Sequence, residues 1–297
     1  MISGFTQSDV KTNGIRLSVH QAGEGEPLIL LHGYPQNHHC WEKVAPALAA
    51  HFHVIIPDLR GYGHSDAPPG DCPQHSTYSK RTMAQDILGM MDALQIERAH
   101  ILGHDRGGRV AYRFALDHPT RLRKLGIIEI VPTGDFWASW NADLAMKAYH
   151  WTFLAQPAPM PETLIGADPR GYILHTLESW TLGKSSAAFS DAALESYLAQ
   201  AEDPARIHAM CADYRAGATF DKTLDEADRK QGHKIAAPLR FLWAEGGFPA
   251  QTGKPRALWE AWATDLTDAS CVSGHFAMEE APQDVLATFL PFFADSD

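Results

Sequence analysis

The chain has 297 residues, 45% of them hydrophobic and 21% charged, and a formal net charge of −11. That length suits one large α/β domain or a core with an inserted subdomain, and the acidic balance argues against a nucleic acid or an anionic membrane as partner. The start, Met1-Ile-Ser-Gly-Phe, lacks the basic and apolar regions of a signal peptide, and no apolar run approaches the roughly 20 residues of a membrane-spanning helix. Cys40, Cys72, Cys211 and Cys271 are far apart and form no C-x-x-C pair, which reads as reduced thiols in a cytoplasmic protein. The 16 histidines include no H-E-x-x-H spacing, and adjacent residues such as His38-His39-Cys40 seldom converge on one ion. Neither a metal nor a cofactor is expected.

In chain order, an early hairpin is expected from Ile15 to Gln21 pairing with Leu28 to Leu31. His53 to Ile56, Ala99 to Leu102, Leu125 to Val131 and Pro238 to Trp243 read as further strands, mostly apolar throughout, as parallel strands covered on both faces are. Lys80 to Leu94 and Val110 to Asp117 show helical periodicity between them. The alternation predicts an α/β fold with a mostly parallel central sheet flanked by helices. The pattern breaks after Val131, and residues 132–233 are rich in Trp, Tyr, Ala and Pro without a clear strand. The simplest organisation is a core of residues 1–131 and 234–297 with a helical cap, residues 132–233, inserted over the carboxyl ends of the strands, where such sheets place their sites.

The run Gly103-His104-Asp105-Arg106-Gly107-Gly108-Arg109 falls between a strand and a helix. It fits the G-x-Nu-x-G nucleophile elbow of the α/β-hydrolase fold, with Asp105 in the nucleophile position. The identity of the nucleophile narrows the chemistry. A serine that displaced a leaving group from saturated carbon would form an inert ether, whereas a carboxylate forms an ester that activated water can open. Asp105 therefore favours substrates attacked at sp³ carbon, such as alkyl halides and epoxides.

Water activation needs a base, and His275 in Ser273-Gly-His275-Phe276 occupies the C-terminal place that the histidine takes in this fold. Two carboxylates compete to orient it. Glu129 lies in the apolar run Ile128-Glu129-Ile130, where a charge is costly without a partner, while Glu245 lies two residues before Gly247, the position where an aspartate is usual. Glu129 is preferred. The backbone N–H groups of Tyr34 and Arg106 are candidates for an oxyanion hole. Arg106 and Arg109, at i and i+3, share a helix face beside the nucleophile and suit a carboxylate. Asp58 to Ser65 reads as a structural glycine-rich loop.

Five segments resemble the fluoroacetate (haloacetate) dehalogenases of the α/β-hydrolase superfamily: His32 to Gln36, Gly103 to Arg109, Tyr149 to Pro159, Asp213 to Ala218, and Gly274 to Phe276. They span nearly the whole chain, and the arginine pair and the Tyr-His-Trp segment are the most specific. The resemblance implies Asp105 as nucleophile, His275 as base, Arg106 and Arg109 as holders of the substrate carboxylate, and His150, Trp151 and Tyr214 as a halide pocket. It also implies a homodimer. One departure stands out, because the family's acid is commonly aspartate where this chain has Glu129. The implied reaction is hydrolysis of a small halogenated carboxylate, fluoroacetate or chloroacetate, to glycolate and halide through an aspartyl ester. An epoxide hydrolase would share Asp105 and His275 but favours Trp where Arg106 stands. A non-catalytic small-molecule-binding protein of the same fold is the rival from another class.

Overall fold

The computed structural model describes residues 2–70 and 72–295. Among these residues, eight strands form one sheet in the order β1-β2-β4-β3-β5-β6-β7-β8. They are β1 (Thr6–Thr12), β2 (Ile15–Ala22), β3 (Pro27–Leu31), β4 (His53–Pro57), β5 (Ala99–His104), β6 (Leu122–Ile128), β7 (Leu239–Ala244) and β8 (Leu266–Cys271). The pairs β1·β2 and β2·β4 are antiparallel, and every pairing from β4 through β8 is parallel. Leu28 to Leu31 of β3 have no exposed surface, as expected for a central strand with helices on both faces.

The expected hairpin is corrected. Ile15 to Gln21 belongs to β2, which pairs with β1 and β4 and not with β3. The turn before β2 is Asn13-Gly14, with φ of 43° and 78°, the left-handed pair that a two-residue hairpin turn needs. β1 (TQSDVKT) is mostly exposed and polar, so hydrophobicity gave no sign of it.

Between β6 and β7 the described residues form helices and turns, from Thr133–Ala138 to Phe220–Gln231. This helical insertion lies against the carboxyl edge of the sheet: Asp213 hydrogen-bonds Arg106, and Asp225 accepts from the Tyr112 hydroxyl at 2.8 Å. At that same edge β3 runs into Gly33-Tyr34, β5 into Asp105, β6 into Glu129, and β8 into the loop that carries His275. Parallel strands thus deliver side chains far apart in sequence to one place. Among the described residues, no helix is long and apolar enough to cross a membrane.

Candidate active site

Asp105 follows β5 with φ of 47° and opens the helix Asp105–Asp117. A left-handed backbone at a non-glycine residue is strained, and the tight turn raises the side chain above the sheet. It demands close packing behind it. A Cβ on Gly103 would lie 2.6 Å from the Gly107 carbonyl oxygen and 2.7 Å from the Gly108 Cα, so strand and helix meet there without side chains between them.

The Asp105 carboxylate is buried, and its Oδ1 accepts the Tyr34 backbone N–H at 2.8 Å. His32 braces that loop. Its Nε2 accepts the Leu59 N–H at 2.9 Å, which leaves Nδ1 to donate to the Gly33 carbonyl. Burial raises the Asp105 carboxyl toward the neutral form, but His275, His104 and Arg106 outweigh it and hold the group below the usual carboxylate range.

His275 lies between two carboxylates. Its Nε2 is 3.7 Å from Asp105 Oδ2 and its Nδ1 is 3.8 Å from Glu129 Oε1. Both distances suit an ion pair and exceed a hydrogen bond. The loop is pinned on each side of the ring: the His275 N–H donates to the Trp180 carbonyl, and Glu280 accepts from the N–H groups of Gly274 and Phe276. Burial pulls the imidazole down, yet Asp105 and Glu129 more than compensate and push it up to about 9.

Glu129, with φ of 61° and no exposed carboxylate surface, accepts the backbone N–H groups of Ala244 at 2.6 Å and Phe248 at 2.8 Å. Burial pushes its carboxyl upward. A Cβ at Gly247 would sit 1.5 Å from Glu129 Oε1. The side chain of Glu129 therefore fills the space that an acidic residue at position 247 would need. Glu245 is exposed and accepts from Ser270 Oγ at 3.3 Å, on the far side of its loop.

Arg106 and Arg109 are both buried but differ in their partners. Arg106 is bound to Asp213 by Nε at 3.1 Å and Nη2 at 2.5 Å, and Nη2 also donates to the Asp213 carbonyl. Arg109 donates Nη1 to the Val131 carbonyl and the Thr133 hydroxyl, both neutral. Among the described residues, Arg106 Nη1 and Arg109 Nε have no hydrogen-bond partner. Burial, then the charge of Arg106, lowers the Arg109 guanidinium from its ordinary value, while Asp213 raises that of Arg106 against its own burial.

His150 and Trp151 open the short helix His150–Leu154, and that helix start turns both rings inward. His150 packs 5.5 Å from Tyr214 and 4.3 Å from Trp180, and Trp151 lies 4.6 Å from the Arg109 guanidinium carbon. His150 Nδ1 and the Tyr214 hydroxyl are buried without partners among the described residues. Burial keeps His150 neutral and Tyr214 protonated, so both present N–H or O–H donors. A cavity of about 10 Å³, lined by residues including Asp105, Arg109, His150, Trp151, Phe248 and His275, leaves about the room of one water molecule.

Sequence reading missed Trp180 and Phe248, which pack 5.4 Å and 5.0 Å from the His275 ring. Their apolar types carry no chemical signature. It also missed Lys80 and Asp213 as part of the arginine site. Away from this centre, His20, His38 and Asp58 offer ligand atoms within 4.8 Å of one another. Asp58 there already accepts from the His38 N–H and ring and from the His64 N–H.

Residues 26–222 match the α/β-hydrolase fold family. The chain is 39% identical to a fluoroacetate dehalogenase of Burkholderia sp, covering 100% of this chain and 96% of that protein. It is 32% identical to a soluble epoxide hydrolase of Corynebacterium sp. (strain C12), over 99% of each. Among solved structures, a variant of a Pseudomonas aeruginosa protein provisionally assigned as an epoxide hydrolase, with bound MFA, superposes with a TM-score of 0.93 at 42% identity, covering 99% of this chain and 97% of that one. The chain belongs to the α/β-hydrolase superfamily and, within it, to the family of the fluoroacetate dehalogenases.

Proposed function

We propose that this hydrolase cleaves the carbon–halogen bond of a 2-haloacetate, fluoroacetate or chloroacetate, and releases glycolate. The observation that carries this reading is the pair of buried guanidinium N–H groups without partners, on Arg106 and Arg109, next to a buried carboxylate nucleophile. Among the described residues, Arg109 has no carboxylate as a hydrogen-bond partner. A buried cation in that state is stabilised by an anionic ligand. A haloacetate brings a carboxylate one bond from the carbon under attack, so the arginines hold the anion while Asp105 faces that carbon.

In the first step an Asp105 oxygen attacks the carbon in line, the C–O bond forms, and the C–X electron pair leaves with the halide. His150, Trp151 and Tyr214 solvate the departing ion through N–H and O–H donors. In the second step His275, oriented by Glu129, takes a proton from water, and the hydroxide adds to the ester carbonyl of Asp105. The carbonyl oxygen gathers charge against the N–H of Tyr34, which already contacts Asp105 Oδ1, and against that of Arg106. The adduct then collapses: the C–O bond to glycolate breaks, His275 returns its proton to the departing glycolate oxygen, and Asp105 is left as a carboxyl group that ionises again. Esterification also removes the Asp105 charge that holds the imidazole pKa up, so His275 becomes a free base when a base is needed.

Halide release from fluoroacetate and chloroacetate, with Asp105→Asn as control, tests the reaction. A single turnover in ¹⁸O-water tests the route, since label must enter Asp105 itself. Label passing directly into glycolate at first turnover overturns the covalent step. Turnover of an epoxide with both haloacetates untouched transfers the site to epoxide hydrolysis.

A further inference from the structure

We infer that Lys80 is a positioning residue that sets the affinity of the arginine site for its anionic ligand by sharing Asp213 with Arg106. The inference rests on the proposal above that a carboxylate binds the two arginines.

Lys80 is the first residue of the helix Lys80–Ala93, capped by Ser79, and is 1% exposed. The place is unfavourable twice over. A cation at a helix N-terminus opposes the macrodipole, and a buried ammonium needs an anion beside it. The helical insertion supplies the anions. Lys80 Nζ is bound to Asp213 Oδ1, and the Lys80 backbone N–H donates to Asp221 Oδ1 at 2.8 Å. Its Nζ also lies 3.5 Å from Met83 Sδ.

Asp213 is oversubscribed as a result. Its carboxylate, with no exposed surface, accepts from Arg106 Nε and Nη2, from Lys80 Nζ and from the Tyr62 hydroxyl at 3.0 Å. Arg106 cannot turn away from it. Its guanidinium carbon lies 4.3 Å from the Tyr214 ring centroid, and a Cβ on Gly217 would come within 3.0 Å of Nη2. Arg106 and Asp213 alone would cancel. With Lys80 charged, the three groups together carry one positive charge, and the buried Arg106 Nη1, without a partner among the described residues, is the N–H left to offer an anion.

This charge is adjustable. Burial and the neighbouring Arg106 lower the Lys80 ammonium to about 8, against the pull of Asp213 and Asp221. The sign follows. Protonated Lys80 favours the bound anion, so affinity is high below about 8 and falls as pH rises through that value. His275, pushed up to about 9, and Asp225, pushed up to about 7, also titrate nearby. They are present in every Lys80 variant, so comparing variants separates the Lys80 contribution.

The probe is acetate, which has the carboxylate and no leaving group, followed by titration calorimetry between about pH 7 and about pH 9.5 on wild type, Lys80→Arg and Lys80→Met. A charge one carboxylate away from the arginine is worth roughly tenfold in affinity in a half-dry site. Wild type is therefore expected to lose about tenfold more affinity than Lys80→Arg over that range, and Lys80→Met to be about tenfold weaker than wild type already at pH 7. Identical pH profiles for wild type and Lys80→Arg overturn the inference. A second measurement needs no substitution: in lysine-labelled wild type, saturating acetate must raise the Lys80 titration midpoint by about one unit, because coupling is reciprocal. A midpoint indifferent to acetate overturns the inference even where a variant fails to fold. The parent reading fails differently. If acetate does not bind wild type at any pH, the carboxylate site itself is wrong, whereas acetate binding that ignores Lys80 removes this inference alone.

Discussion

Asp105 and Glu129 stand at the carboxyl ends of neighbouring parallel strands, each in a left-handed backbone, and face one imidazole through its two nitrogens. Their surroundings drive them in opposite directions. Asp105 sits at a helix N-terminus beside a histidine pair and Arg106, and these hold it ionised against its burial. Glu129 is buried more completely, has two backbone N–H donors, and is pushed upward. The first commits Oδ1 to the Tyr34 N–H and keeps Oδ2 3.7 Å from His275 Nε2, beyond a hydrogen bond. The second has both oxygens committed to the backbone. Environment thus separates two carboxylates into one held ionised and one fixed by the backbone at both oxygens, as the proposed roles of nucleophile and orienting acid require.

The hardest way to break this contrast is Asp105→Asn, which keeps the shape and removes the carboxylate proposed as nucleophile. Halide release is expected to fall on the order of 10⁴-fold, and residual release above a few per cent of wild type would mean another group attacks. Glu129→Gln should lose about 10²- to 10⁴-fold in turnover but retain one equivalent of halide release, with the ester visible as added mass on the intact protein. No adduct and no burst would show that Glu129 serves the first step as well.

The steric exclusion at Gly247 allows a sharper test. Gly247→Asp alone should be destabilised, because its Cβ meets Glu129 Oε1. Combined with Glu129→Gly, the new aspartate has the vacated space, and activity should recover at least about tenfold over Glu129→Gly alone. Failure of the pair to recover would locate the acid's importance in the β6 backbone and not in the carboxylate.

A smaller effect concerns pH. His275 is raised from 6.5 to about 9 in the folded state, so its ion pairs contribute stability that is fully present below about 6.5 and lost as pH rises through about 9. The melting temperature of wild type should fall across that interval, and that of Asp105→Asn should fall less. Equal falls would place the His275 charge outside the Asp105 pair. Smallest of all is Glu245→Gln, at an exposed site, where stability should move within about 0.5 kcal/mol and turnover hardly at all. A large loss there would restore Glu245 as the orienting acid.

Much of the architecture was legible because chemistry and pattern coincided. Asp105 stood in a glycine turn between a strand and a helix, and Arg106 and Arg109 lay within about one helical turn of it. The missed edge strand β1 shows a competing signal. Asn13-Gly14 marked the turn, but the polar Thr6–Thr12 has no apolar alternation, and the apolar Leu28 to Leu31 drew the expected pairing to the wrong strand. Glu129 was singled out through the cost of a charge in an apolar run, and only the tertiary structure puts it 3.8 Å from His275 while leaving Glu245 exposed beside Ser270. Lys80 and Asp213 were invisible as a pair, since 133 residues separate them and each alone looks like a surface charge.

What the sequence by itself determined was which side chains meet at the elbow, and so the chemistry proposed for it. The residue in the elbow decides whether the covalent intermediate is an ester that water can open, and local spacing decides that two guanidinium groups share a helix face. Tertiary structure decided how those charges behave. Arg106 and Arg109 are the same residue type three positions apart, but one is bound to a buried carboxylate from the insertion and the other rests on neutral oxygens. Charge in a protein interior is governed by burial and by partners brought from elsewhere in the chain, and neither is a local property of the sequence.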